Sequence, residues 1–274
     1  MFSDHFDLDF PEVIKVVTVP ILFAADVTAL KDAELYHLAY AAATPPRREK
    51  TDRFRPEKDR RLSLGAEALL RHALRCAGSG AASADFVYGT EKKPYLRDGG
   101  LFFNLSHSGI WAVCAVAGCE VGCDVEQVAP IDLKLARRFL PEEYADILSQ
   151  PTAAERLELF YRYWTLKESF MKATGLGMAL PLDAFRIVRG DGVSVLQSVD
   201  DRAYGFREFA DLPGYRCALC CAGDCSDAQL HILDLEEILR EEALCRGGNA
   251  CFPPTGLDKA PDAAGQNADG LEQA

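Results

Sequence analysis

The sequence predicts a mixed α and β fold. Two amphipathic helical stretches, 59–76 and 153–174, each end close to a glycine, and short β-rich runs with glycine-bearing turns lie between and after them. With 274 residues, 49% of them apolar, the chain has material for one large core or two modest ones and is too apolar to be disordered.

The first helix is read from Leu62, Ala66, Leu69, Ala73 and Leu74, which recur at helical spacing, with Gly78 as the stop signal. Strands are expected over Asp85–Tyr88, Leu101–Leu105, Trp111–Ala117 and Val121–Val125. The second helix, Ala153–Thr174, carries the stripe Leu157, Phe160, Tyr161, Trp164 and Met171 and closes at Gly175. Three further strands are expected over Ala184–Val188, Tyr204–Phe209 and Gly214–Ala222. The run Arg53-Phe54-Arg55-Pro56-Glu57-Lys58 is echoed by Arg138-Phe139-Leu140-Pro141-Glu142-Glu143, each ahead of a long helix, and the echo hints at an ancient duplication. From Arg246 onward no apolar period survives, so 246–274 reads as a flexible tail.

Charge and composition exclude several function classes. The formal charge is −12, yet the stretch from Arg47 to Arg75 holds ten basic and five acidic residues. A basic segment on an acidic chain reads as a site for a local anionic ligand or as a solvated helix face; a nucleic-acid surface would work against the field of the whole molecule. The stretch 99–119 lacks formal charge but contains Asn104, Ser106, His107 and Ser108, so no membrane span is expected. The acidic start, Met1–Phe10, lacks the basic and apolar regions of a secretory signal, and a cytoplasmic protein follows. In that setting the ten cysteines read as free thiols. Cys217 and Cys220 have C-x-x-C spacing, but on a strand residues three apart point in opposite directions, which argues against zinc.

Three places carry candidate chemistry. In the strand Val121–Glu126, Asp124 and Glu126 project from the face opposite Val121, Cys123 and Val125; such a pair is either a solvent-facing strand edge or an oxygen donor set for a hard cation such as Mg²⁺. On the second helix Glu168 borders the apolar stripe, where a carboxylate needs a partner. Lys172 supplies an i,i+4 salt bridge, or else Asp124, Glu126 and Glu168 together make an open cation site, with Lys167 and Lys172 as nearby cations for a phosphate. The segment Phe103–Gly109 reads as an apolar strand leaving into a polar turn, either an ordinary turn or a phosphate-holding loop built on Ser106, His107 and Ser108. Lys92-Lys93-Pro94 adds a rigid, basic turn nearby.

Taken together, Phe103-Asn104-Leu105-Ser106-His107-Ser108, Val121-Gly122-Cys123-Asp124-Val125-Glu126 and the run from Trp164 to Gly175 resemble the Sfp-type 4′-phosphopantetheinyl transferases. The last block resembles the family pattern W-x-x-K-E-[SA]-x-x-K-x-x-G; the second departs from it only by Cys123 where Ile or Val is usual. The likeness extends from about Thr44 to Ala222 and is looser at both ends.

The resemblance implies an α+β pseudo-dimer of two similar α/β halves, 1–118 and 119–245, with coenzyme A and Mg²⁺, or Mn²⁺ in its place, in the cleft between them. It implies metal ligation by Asp124, Glu126 and Glu168, and pyrophosphate contacts from His107 and Lys172. Arg47, Lys50 and Lys93 would surround the 3′-phosphate, and Ser106, Asp124 and Lys167 would complete the coenzyme A site. Glu168, Lys172 and His107 form the implied catalytic group, with Glu168 accepting a proton directly or through a metal-bound water. The implied reaction moves 4′-phosphopantetheine from coenzyme A to a serine of an apo acyl or peptidyl carrier protein and releases adenosine 3′,5′-bisphosphate. The enzyme would be a monomer engaging neither nucleic acid nor membrane, serving fatty acid, polyketide or nonribosomal peptide synthesis. A pyrophosphate hydrolase using the same metal site, or a non-catalytic nucleotide-binding or nucleic-acid-binding module, are the competing readings.

Overall fold

The computed structural model describes residues 19–79 and 86–246. The chain runs through β1 (Ile21–Asp26), α1 (Ala33–Ala42), α2 (Pro45–Arg53), α3 (Glu57–Cys76), β2 (Phe86–Tyr88), β3 (Pro94–Leu96), β4 (Phe102–Ser108), β5 (Trp111–Ala117) and β6 (Val121–Gln127). It continues with α4 (Lys134–Phe139), α5 (Tyr144–Ser149), α6 (Ala153–Thr174), β7 (Arg186–Arg189), β8 (Val193–Leu196), β9 (Tyr204–Phe209), β10 (Tyr215–Ala222), β11 (Gln229–Leu233) and α7 (Leu235–Arg246). The architecture is mixed α and β.

Side-chain alternation along the strands sets the layering. One four-stranded sheet has the order β11-β1-β5-β4 and a three-stranded sheet has the order β6-β10-β9, with two separate hairpins, β2-β3 and β7-β8. On β5, Ala112, Cys114 and Val116 face a core shared with α1, α3 and α7, while Val113, Ala115 and Ala117 face a second core. That second core takes Val121, Cys123 and Val125 from β6 and Cys217, Leu219 and Cys221 from β10. The opposite face of β10, Ala218 and Cys220, packs in a third core under α6. Two sheets therefore meet face to face, with helices on both outer sides.

The longest helix has local reasons to start and to stop. Thr152 and Glu155 form a reciprocal capping box ahead of α6, and Gly175 ends it in a left-handed conformation at φ 76°. Gly122 on β6 has a packing reason: a Cβ there would lie 2.1 Å from Ser169 O and 2.4 Å from Ala173 N on α6. The helix thus rests on bare strand backbone.

Late in the chain β11 pairs in parallel with β1 of the first sheet, and α7 joins the core of α1 and α3. The sequence echo precedes different structures: α3 begins at Glu57, whereas α5 intervenes between Glu143 and α6. Eight cysteines are free thiols as expected, but Cys245 is disulfide-bonded. The expected strand at Asp85–Tyr88 is Phe86–Tyr88 among the described residues, and 247–274 lie outside them.

The close approach at Gly122 yields a stability test. Gly122→Ala is expected to cost at least about 1–3 kcal/mol through overpacking, read as a fall in Tm by circular dichroism; an unchanged Tm would mean that α6 does not bear on β6.

Candidate active site

The two sheets are joined at a seam between β4 and β6, each at the edge of its own sheet. An edge strand leaves backbone N–H groups without a ladder partner, and these need acceptors. Alternate side chains of β4 provide them. Asn104 Oδ1 accepts from Cys123 N–H at 3.0 Å, Ser106 Oγ from Val125 N–H at 3.4 Å, and Ser108 Oγ from Gln127 N–H at 3.1 Å. Tyr215 closes the far end, its hydroxyl accepting the Ile110 N–H at 3.1 Å. The expected strand therefore runs on through Ser106, His107 and Ser108, where a polar turn was expected, and the turn falls at Gly109 and Ile110.

The same hydroxyls hold the carboxylates of β6. Ser106 donates to Asp124 Oδ1 at 2.8 Å and Ser108 to Glu126 Oε2 at 2.8 Å. Lys172, brought in by α6, lies 2.6 Å from Asp124 Oδ1 and also donates to the Cys123 carbonyl and Ser106 Oγ, each at 3.2 Å. Burial alone would lower the Lys172 pKa, but Asp124, with Cys123 and Glu168, raises it on balance. Glu168 lies one turn before Lys172 on the same helix. Burial raises the Glu168 carboxyl above its usual range, and Asp124 and Glu126 push the same way against Lys172. Glu126 is likewise raised by burial and by Asp124, with Ser108, Lys172 and a hydrogen bond from Trp164 opposing.

Among the described residues no three His, Cys, Asp or Glu side chains stand as a ready-made metal cage. The donor chemistry nevertheless fits a hard divalent cation. Three carboxylates are close enough to repel one another, and Asp124 Oδ2 is buried with no hydrogen-bond partner. Lys172 occupies only the other oxygen.

A basic group borders these acids. Arg47 and Lys50, both on α2, lie close enough to His107 on β4 that, after burial, they and Lys172 lower its pKa. Lys50 is itself lowered by burial and then by Arg47. Like charges crowded in this way favour an anionic ligand.

Sequence comparison adds independent information. A sequence model described as the 4′-phosphopantetheinyl transferase superfamily matches residues 120–220. The chain is 32% identical over 203 residues to 4′-phosphopantetheinyl transferase Sfp of Bacillus subtilis (strain 168), covering 72% of this chain and 89% of that protein. The chain belongs to the Sfp-type 4′-phosphopantetheinyl transferases. It is also 38% identical over 200 residues to transferase psf-1 of Bacillus pumilus, covering 70% of this chain and 84% of the relative. With 4′-phosphopantetheinyl transferase HetI of Nostoc sp. it shares 42% identity over 133 residues, 45% of this chain and 55% of the relative. No helix among the described residues of this transferase is long and apolar enough to cross a membrane.

Two cations expected at the site are occupied elsewhere. Lys167 is fully buried, 3.0 Å from Glu143 Oε1, and donates to the carbonyls of Leu182 at 2.6 Å and Phe185 at 3.0 Å. Burial lowers its pKa against the pull of Glu143. Lys93 is also buried, donating to Glu120 Oε2 at 2.6 Å and to the carbonyls of Val121 at 3.0 Å and Ala173 at 3.3 Å. Its pKa is lowered by burial against Glu120. Both lysines tie structure together and neither is free for phosphate. Sequence reasoning missed the bridging role of Asn104 and Ser108; the period of two that they form with Ser106, along a strand next to an acidic strand, was the available signal. It also took Trp164 as core alone.

The reassignment of Lys167 has a direct test. Lys167→Met should destabilise the transferase by about 3 kcal/mol, because Glu143 is left buried and unpaired. Coenzyme A affinity of the folded variant, measured by calorimetry, should be unchanged; a selective loss of affinity would return Lys167 to the site.

Proposed function

We propose that the enzyme transfers the 4′-phosphopantetheine group of coenzyme A to a serine hydroxyl of an apo acyl or peptidyl carrier protein, in a Mg²⁺-dependent reaction that releases adenosine 3′,5′-bisphosphate. One observation carries this reading. A basic group, Arg47, Lys50, His107 and Lys172, borders an acidic group, Asp124, Glu126 and Glu168, along one seam. A substrate with a pyrophosphate and a separate phosphate, bound beside a divalent cation, balances both.

Asp124, Glu126 and Glu168 would hold Mg²⁺, or Mn²⁺ in its place. When bound, the metal supplies positive charge beside the pyrophosphate oxygens. Arg47 and Lys50 take the 3′-phosphate, while His107, Lys172 and Ser106 contact the pyrophosphate. As the serine oxygen bonds to the phosphorus bearing pantetheine, the bond from that phosphorus to the bridging oxygen breaks, and adenosine 3′,5′-bisphosphate leaves carrying that oxygen. The serine proton passes to the Glu168 carboxylate. Lys172 stays charged beside Asp124 and stabilises negative charge on the phosphate oxygens. On this reading the site is a cleft between two similar halves of a cytoplasmic monomer.

Incubation with coenzyme A, Mg²⁺ and a panel of apo carriers should add the mass of phosphopantetheine to at least one carrier. Release of free phosphopantetheine with every carrier unmodified would instead establish a hydrolase. Glu168→Gln is expected to retain coenzyme A binding and slow transfer by at least about 10²-fold, followed by the same mass gain. Lys50→Ala should weaken coenzyme A more than dephospho-coenzyme A, which lacks the 3′-phosphate; equal losses in calorimetry would move Lys50 away from that group.

A further inference from the structure

Glu67 is a carboxylate on α3 that is only 4% exposed and lies outside the acidic group of the seam. An isolated charge at that depth is strongly unfavourable, so its partners define what it does. Its two oxygens are both used, in different directions. Oε2 accepts from Arg47 Nε at 2.6 Å, and Oε1 accepts from the Thr44 N–H at 2.7 Å. Thr44 is the N-cap residue of α2, the helix that carries both Arg47 and Lys50. One carboxylate therefore fixes the start of that helix and the guanidinium one turn into it.

Glu67 is held in turn. Arg71, one turn along α3, approaches Glu67 Oε1 at 3.5 Å and makes a two-pronged bond to Glu242 on α7, at 2.7 Å from Nε and 3.0 Å from Nη2. Arg246 reaches Glu242 at 3.4 Å and donates to the carbonyls of Ala41 and Ala42 at the end of α1. The segment joining α1 to α2 is thus held by charge on both sides, the buried Glu67 on one and the exposed Arg246 on the other. Among the described residues Arg47 bonds through Nε to Glu67, which leaves its two terminal amino groups as the fork available to an anion. Lys50 lies close enough to Arg47 for the two cations to repel. Without a counter-charge behind it, the Arg47 guanidinium would swing away from Lys50.

We propose that Glu67 is a positioning residue for phosphate recognition, aiming the free edge of Arg47 at the 3′-phosphate of coenzyme A and offsetting its repulsion with Lys50. The inference rests on the reading that Arg47 takes that phosphate. Glu67 touches no substrate atom; its effect travels through Arg47.

The test is calorimetric binding of coenzyme A and dephospho-coenzyme A to the full chain bearing Arg47→Ala, Glu67→Gln or both. Glu67→Gln should weaken coenzyme A by about tenfold, the scale of one charge-assisted hydrogen bond, and leave dephospho-coenzyme A unchanged. The double variant should bind no more weakly than Arg47→Ala alone, as expected of two residues acting as one unit. A Tm measurement accompanies each variant; if Glu67→Gln fails to fold, Glu67→Asp, which keeps the charge but shortens its reach, is read by the same criteria. Equal weakening of both ligands, no weakening, or losses that add to those of Arg47→Ala would overturn the positioning role. If Arg47→Ala itself fails to distinguish the two ligands, the assignment of Arg47 to the 3′-phosphate fails first, and that result is separate from any behaviour of Glu67.

Discussion

The site depends on how two sheets that share no β-ladder are held in register. Between β4 and β6 the task falls to side chains, with Asn104, Ser106 and Ser108 accepting every second N–H of the facing strand. Two of the three hydroxyl or amide groups do a second job, because Ser106 and Ser108 use their protons to hold Asp124 and Glu126. Sheet assembly and carboxylate placement are consequently one event. A shift of β4 by a single residue would move both hydroxyls to the other face and release both acids.

Onto this seam α6 adds Glu168 and Lys172, and the absence of a side chain at Gly122 lets it come close enough. The acids and bases at the site thus come from β4, β6, α2 and α6, elements far apart in the chain. The buried chain of charge from Glu67 through Arg71 to Glu242 does for α2 what the hydroxyls do for β6. In both cases a charged group expected to meet the ligand is steadied by a polar partner on a neighbouring element.

Much of this was legible in the sequence, and the rest was hidden for physical reasons. The period-two alternation at 121–126 put Asp124 and Glu126 on one face, and the helical angle put Glu168 and Lys172 together. The same arithmetic sets Lys167 about 140° around the helix from Lys172, which was a readable sign that the two could not share a phosphate. Lys93 carried no such sign, since its partner Glu120 and its acceptors on Val121 and Ala173 come from distant segments. β11 was missed because its partner β1 lies some two hundred positions earlier, with register Ile21 to Gln229. Local pattern does not encode a pairing of that range.

The burial of the cysteines bears on the cargo. Desolvation raises Cys114, Cys217 and Cys220 well above ordinary thiols and pushes Cys123, just behind Asp124, up to about 12 even with Lys172 nearby. A sulfhydryl that does not ionise is a poor nucleophile and a slow partner in exchange. On the proposed function coenzyme A brings a sulfhydryl of its own, and its oxidised forms would trap a reactive thiolate near the site as a mixed disulfide. With these four sulfurs in the dry interior, the protein would handle a thiol-tipped arm without becoming tethered to it through them.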